Sequence, residues 1–362
     1  MTIKTPFYEK HLKLGGQVVD FHGWYLSMQF SGIPDEHRTV REGVGMFDVS
    51  HMGNLRFKGK GTQDFFNCTL TNRYDNIKMF QCKYAHILRE DGKIIDDTIV
   101  SKIGEEEFFC VPNATMIKTD YEWYANHAPP GVKIENLSDQ YGILALQGPK
   151  AKFVMQKVTN YDVSSVKFFF CAFMRLKGLD HDTLVWRTGY TGEDGFEIML
   201  PEKDASVVWD NIYEAGKEFG IKPIGLGARD TLRMEKGLLL SGQDFNYDRT
   251  SVETFESGKF ALNMEHEFRG KKVLEEQLKK GDFWRIIGIT VGKGGIPRTG
   301  CEVVHKGKVI SVVTSGTFVP TTKVGMAMAY LPPELAKPGT DVAIRIRGKD
   351  VPGKVFSFRE KK

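Results

Sequence analysis

"DTLVWRTGYTGEDGFEIML", Asp182 to Leu200, reads as two strands joined by a segment that is neither helix nor sheet. After the join, Phe196, Ile198 and Leu200 alternate with Glu197 and Met199, the period of a half-buried strand. Glu197 therefore points away from the apolar row. Inside the join, Gly189, Gly192 and Gly195 recur every third residue. Each glycine costs a helix about 1 kcal/mol relative to alanine, and each leaves a strand with nothing to pack. Glycine also admits a path through positive φ. The segment is a shaped loop, and Arg187, Tyr190 and the acids Glu193, Asp194 and Glu197 are its candidate ligand contacts.

Working outward, the pattern is mixed. Upstream, "YGILALQGPKAKFVMQKV" (Tyr141–Val158) is a strand, a Gly148-Pro149 break, and a helix with proline at its first turn. Downstream comes a helix with Asp204 as cap, Val208, Ile212, Ala215 and Phe219 on one stripe, and Gly220 at its end. "GARDTLRMEKGLLL" (Gly227–Leu240) reads as a further helix. "NATMIKTDYEWYANHAPP" (Asn113–Pro130) is a helix that Asn113 can cap and Pro129-Pro130 stop. "KYAHILREDGKIIDDTIVSK" (Lys83–Lys102) is a hairpin turning at Asp91-Gly92. Past "EEQLKKGD" (Glu275–Asp282) the helix pattern stops and short strands with turn signals continue to Phe358, a separate all-β domain. The front part is α+β.

At 362 residues the chain has room for two or three domains. A net charge of +4 without long blocks of like charge does not indicate nucleic acid, and no apolar run approaches a membrane span. The start, "MTIKTPFYEKHLKLGG", lacks the marks of a signal or transit peptide. Five scattered cysteines suggest neither a disulfide framework nor zinc, and the histidines form no metal-ligand pattern. The expectation is a cytoplasmic protein without a metal.

Three groups can carry chemistry. In "GKIIDDTIV", alternation turns one of Asp96 and Asp97 to the side that Ile95 faces, where a carboxylate is costly unless paired or functional. The other reading is a bulge or edge strand with two solvated acids. Glu197 can offer two parallel oxygens to a planar donor pair, and Tyr190 a ring face and a hydroxyl; alternatively Glu197 pairs internally with Arg187. Arg229 and Arg233, four apart, share a helix face that can hold a carboxylate or can pair with Asp230 or Glu235.

These segments together resemble the tetrahydrofolate-dependent aminomethyltransferase (T-protein) family of the glycine cleavage system. The marks are "FDVSHMG", "GKIIDDTIV", "NATMIKTD", "LALQGPKA", "RTGYTGEDGFE", "GLGARDTLRME", "LLLSGQD" and "TSGTFVPT", in the family's order. The resemblance implies a three-domain cloverleaf of α+β and β modules around a central folate channel. Residues 1–270 would be the folate-binding region, with interleaved subdomains at roughly 1–50 with 145–270, and 51–144; residues 280–362 would form a C-terminal β-barrel. It implies tetrahydrofolate as co-substrate and a lipoylated carrier, the H-protein, as partner. Folate N5 would attack the methylene carbon of the aminomethyl group on the lipoyl arm, ammonia would leave, and 5,10-methylenetetrahydrofolate and the dihydrolipoyl arm would remain.

By position in the motifs, Asp97 matches the catalytic aspartate and Glu197 the acid that grips the pterin. Tyr84, Asn113, Tyr190 and Arg229 match other folate-contacting positions. The chain departs from the family at Ser101, Val319, Phe356-Ser357-Phe358 and "SVETFESGKFALNME" (Ser251–Glu265), regions expected to line the channel or its mouth. A folate-dependent demethylase and a folate-binding accessory protein are the alternatives. The second lacks its cysteine in "KGLLLSGQD", and the intact Asp97 argues against the first. The basic runs "RGKK" (Arg269–Lys272) and "IRIRGK" (Ile344–Lys349) are candidate contacts for an acidic carrier.

Overall fold

A computed structural model describes residues 2–254, 261–292 and 295–358. The chain divides into two compact units. The first comprises Met1–Phe65, Asp75–Lys83 and Thr98–Asp230; the second comprises Phe66–Tyr74, Tyr84–Asp97 and Thr231–Lys362. The division passes through the strands Cys82–Leu88 and Ile94–Gly104 of the hairpin at Gly92, whose φ is +74°.

The first unit is built on a six-stranded sheet in the order Cys171–Arg175, Asp182–Trp186, Gly195–Pro201, Tyr141–Gln147, Gly45–Asp48, Lys222–Ile224. Its central strand, Tyr141–Gln147, is flanked antiparallel by Gly195–Pro201 and Gly45–Asp48. Ile143, Leu144, Ala145 and Leu146 are all buried, so both faces of this strand are covered. One face packs on the helices Ala151–Lys157 and Glu202–Gly216, with Leu144, Leu146, Phe196, Ile198 and Leu200 against Val154, Met155, Val208, Trp209 and Ile212. Burying each such side chain contributes about 1.5–3 kcal/mol. The expected alternation of Phe196, Ile198 and Leu200 inward with Glu197 half-buried is observed.

Two helix boundaries differ from expectation. The helix after the loop begins at Glu202 with Pro201 at the cap position, so Asp204 lies inside its first turn and is not the cap. Its carboxylate instead lies 3.4 Å from His181 Nε2. Gly220 does close this segment, in the left-handed region at φ +73°. The Asn113 segment opens as a 3-10 turn, and the Asn113 side chain makes no capping bond.

The second unit contains the expected all-β element, a closed barrel in the order Arg285–Val291, Val324–Leu331, Lys308–Val319, Glu302–His305, Asp341–Ile346, Lys349–Phe356. Ile287, Ile289 and Val291 alternate inward and meet Ala327, Ala329, Val303 and Ile344. Closure removes the edges that an open sheet would expose. A second cluster gathers Leu88, Ile94, Met234, Phe245, Val252, Leu274, Ile286 and Met328 around the helices Leu226–Lys236 and Lys271–Lys280. No described helix is long and apolar enough to cross a membrane.

Candidate functional site

The glycine loop is shaped by one side chain from the neighbouring strand. Gln147, almost fully buried, donates from Nε2 to the Thr188 carbonyl at 2.9 Å and accepts from Thr191 Oγ1 at 2.8 Å. A Cβ at Gly189 would stand 1.9 Å from Gln147 Oε1, and one at Gly195 would stand 2.5 Å from the Leu146 carbonyl oxygen. Of the three glycines only Gly192 uses positive φ, at +71°. Gly189 and Gly195 are therefore required by close approach, not by backbone hand.

The acids of the loop separate into two uses. Asp194 takes Arg187 in a two-pronged pair, Nε–Oδ1 at 2.8 Å and Nη2–Oδ2 at 2.7 Å. Glu193 takes Arg41 at 2.9 Å. The internal pairing of Glu197 with Arg187 does not occur. Trp186, not Arg187, is the register partner of Glu197, and alternation turns Arg187 to the opposite face, over the Phe196 ring. Glu197 is half-buried and accepts from Thr188 Oγ1 at 2.5 Å. In the same unit the Arg229 guanidinium sits 4.7 Å from the centre of the Tyr190 ring, a cation–π contact that orients both.

Beside Arg229 lies a small hollow lined by His11, Ser27 and Asp48, among others. Burial raises the Asp48 carboxyl, but the hydrogen bond and charge of His11, with Thr5 and Ser50, outweigh it and hold the group below its usual range. His51, also in "FDVSHMG", is lowered to about 3 by burial and then by the Arg229 charge, so its ring is neutral.

In the second unit the two hairpin acids are both held. Asp96 is fully buried and accepts from Ser241 Oγ. Asp97 is half-buried and accepts from the Tyr84 hydroxyl at 2.7 Å. The reading with two solvated acids is thereby excluded for Asp96. Arg233 does not share a ligand role with Arg229: it is fully buried and paired with Asp244 at 2.7 Å, and it also donates to Ser315 Oγ at 2.9 Å.

Tyr84 and Asp97 thus come together in the second unit, and Tyr190 and Arg229 in the first, with Glu197 beside Thr188. Asn113 also belongs to the first unit, at the start of its 3-10 turn. Sequence reasoning missed Gln147, His51 and His86. His51 and Gln147 lay in motifs already singled out, "FDVSHMG" and "LALQGPKA"; His86 lay only in the hairpin stretch.

The departures from the family pattern are mostly interior. Ser101 is fully buried and joins Trp186 Nε1 at 2.8 Å to Cys82 Sγ at 3.3 Å, and Val319 is fully buried. Residues 255–260 of the departing stretch lie outside the described residues. Cations of both basic runs take part in ion pairs: Arg269 with Glu90, Lys271 with Glu267, and Arg345 with Glu302 and Asp350. Among the described residues no cluster of three or more His, Cys, Asp or Glu can hold a metal.

Known proteins resemble this chain over its whole length. The family model described as "GCVT N-terminal domain" matches residues 7–257, and that described as "Glycine cleavage T-protein C-terminal barrel domain" matches residues 285–358. An aminomethyltransferase of Bacillus mycoides is 42% identical over 349 residues, covering 96% of this chain and 95% of its own. One from Alkaliphilus metalliredigens is 41% identical, covering 98% and 96%. The crystal structure of glycine cleavage system aminomethyltransferase T from Bartonella henselae superimposes with a TM-score of 0.91 at 30% identity, covering 99% and 97%.

Proposed function

The chain belongs to the glycine cleavage T-protein family, and from that premise we infer that it is an aminomethyltransferase. It transfers the methylene carbon of a lipoyl-bound aminomethyl group to tetrahydrofolate, releasing ammonia and giving 5,10-methylenetetrahydrofolate. The lipoyl group arrives on a carrier protein, the H-protein of the system.

The residues present suit a reduced folate. A pterin is a flat ring whose amino and N3–H edge is a pair of parallel donors. Glu197 spends one acceptor position on Thr188, and a carboxylate has about four. It can therefore grip that donor edge with both oxygens. Tyr190, packed against Arg229, offers ring surface to such a flat ligand. Tetrahydrofolate, when bound, supplies the nitrogen that accepts the one-carbon unit.

The observation that carries the reaction is the acid pair. Asp96 is fully buried and held by Ser241, which anchors the strand. That leaves Asp97 as the half-buried member, its carboxylate oriented by the Tyr84 phenol. Asp97 orients the reacting amines and stabilises the positive charge that develops on them, an electrostatic role in which no proton need leave the carboxylate.

The test is turnover with lipoylated, aminomethyl-loaded carrier and tetrahydrofolate, set against methylated amines and sulfonium compounds. Turnover only with the carrier is expected. Turnover only with a methylated small molecule would overturn the reading in favour of a demethylase.

A further inference from the structure

Asp97 stands at the end of a line of side chains that starts deep in the second unit. Tyr84 Oη donates to Asp97 Oδ2 at 2.7 Å. The same oxygen lies 3.4 Å from His86 Nε2, and His86 Nδ1 lies 2.8 Å from Ser251 Oγ. Tyr84 and His86 are two apart on one strand and so share a face, with ring centres 5.6 Å apart and edge to face. His86 and Ser251 are buried. The His86 backbone N–H donates to Thr71 Oγ1 at 2.8 Å, its carbonyl accepts from the Thr71 N–H at 3.2 Å, and the Phe245 ring packs 5.7 Å away. The imidazole is thus fixed in place with a polar partner at each nitrogen.

The chemistry of these groups sets the direction of the line. A phenol has one proton, and Tyr84 gives it to Asp97. At the Tyr84–His86 contact the ring must therefore be the donor. Burial lowers His86 to about 3, so the ring is neutral and carries a single N–H. With that hydrogen on Nε2, Nδ1 is an acceptor, and the Ser251 hydroxyl is the group that donates to it. Three hydrogen bonds then point the same way, Ser251 to His86 to Tyr84 to Asp97, and aligned bonds of this kind reinforce one another. A ring with its hydrogen on Nδ1 would set two acceptors against each other at Nε2 and Tyr84 Oη, loosening the phenol from Asp97.

We propose that His86, in its Nε2–H form, is a positioning residue for Asp97, acting through Tyr84 and seated by Ser251. The proposal rests on the reading of Asp97 as the acid that works on the folate amines. His86 touches neither folate nor the aminomethyl group; it fixes where the phenol proton lies, and with it the orientation of the carboxylate.

The experiment uses the full chain and four variants: His86→Leu, His86→Gln, Tyr84→Phe and the double variant His86→Leu/Tyr84→Phe. Loss of one such hydrogen bond lowers kcat of His86→Leu about tenfold, while KM for tetrahydrofolate stays within about twofold, since the contact matters to chemistry and not to binding. Gln places an amide N–H near the Nε2 position and recovers most of the loss. Once Tyr84 is Phe, His86→Leu adds nothing further, because the coupling between the two is gone. Independently of turnover, 15N spectra of the ligand-free protein labelled in its histidines show His86 neutral with its hydrogen on Nε2. An Nδ1–H ring, an imidazolium at neutral pH, additive losses in the double variant, or His86→Gln as poor as His86→Leu would each overturn the proposal. Wild-type turnover in Asp97→Asn with the Nε2–H ring intact would instead sink the assignment of Asp97, so the two failures are told apart.

Discussion

Replacing Glu197 by Gln is the sharpest test of the folate reading, because it keeps shape and removes one acceptor. Glu197 Oε2 accepts from Thr188 Oγ1 at 2.5 Å, and Thr188 is itself buried. The remaining acceptor positions are the ones a pterin donor edge would use. In the Gln variant the amide has two orientations. If its oxygen stays on Thr188, the NH2 group faces the pterin donors, donor against donor. If the amide flips, the oxygen meets one pterin donor, but the buried Thr188 hydroxyl loses its acceptor. Either way one charge-assisted hydrogen bond is lost, worth about 1.5–3 kcal/mol. At ~1.4 kcal/mol per decade, the Kd for tetrahydrofolate rises by about 10- to 150-fold. Titration calorimetry on the wild type and the variant measures it. Thr188→Val is the control: it keeps both oxygens and the charge, so its effect stays within about 1 kcal/mol, the worth of an ordinary hydrogen bond. An unchanged Kd in Glu197→Gln would refute the reasoning and leave Glu197 as a structural partner of Thr188.

Asp97→Asn keeps the fold and folate affinity but lowers turnover by about two to four powers of ten, read by steady-state assay; the same change at Asp96 lowers stability more than turnover. Asp244→Ala strands the buried Arg233 charge and costs about 3–5 kcal/mol, read as a shift in denaturant midpoint. His51 and His86 are held near 3 in the folded chain against 6.5 unfolded. The unfolded state therefore binds more protons between those values, and stability falls as pH drops from 6.5 towards 3, by ~1.4 kcal/mol per pH unit per histidine. Denaturation of His86→Gln across that range shows a shallower slope; an unchanged slope would remove His86 from the account.

What the sequence made legible was whatever repeats at short range. The alternation of Phe196, Ile198 and Leu200 fixed the facing of Glu197, and the turn at Asp91-Gly92 fixed the hairpin that carries Asp96 and Asp97. Partners brought in by tertiary folding were not legible. The three glycines allowed a path through positive φ but did not show which of them uses it; two answer instead to Gln147, which is remote in sequence and adjacent only through strand register. For Arg233 the sequence left a ligand role and a local ion pair both open, because its partner Asp244 comes from the following loop and another contact, Ser315, from the barrel. His86 sat in "KYAHIL", where an apolar alternating pattern gave no reason to expect polar partners at both ring nitrogens. Asp204 lost its cap role because Pro201 already supplies an extended residue before the helix, at φ −55° and ψ 146°.

Gln147 gives the glycine loop an address elsewhere in the chain. The loop is cast around that amide, with one end bonded to Thr188, the other to Thr191, and glycines where the amide presses in. Anyone transplanting residues 187–197 into another scaffold must carry position 147 with them. A leucine at 147 would fill the mould yet offer nothing to the Thr188 carbonyl or the Thr191 hydroxyl, and the graft would relax before it met a ligand. Conversely, a library aimed at new ring-shaped ligands can leave the loop untouched and vary the mould alone, reshaping Tyr190 and Glu197 from behind.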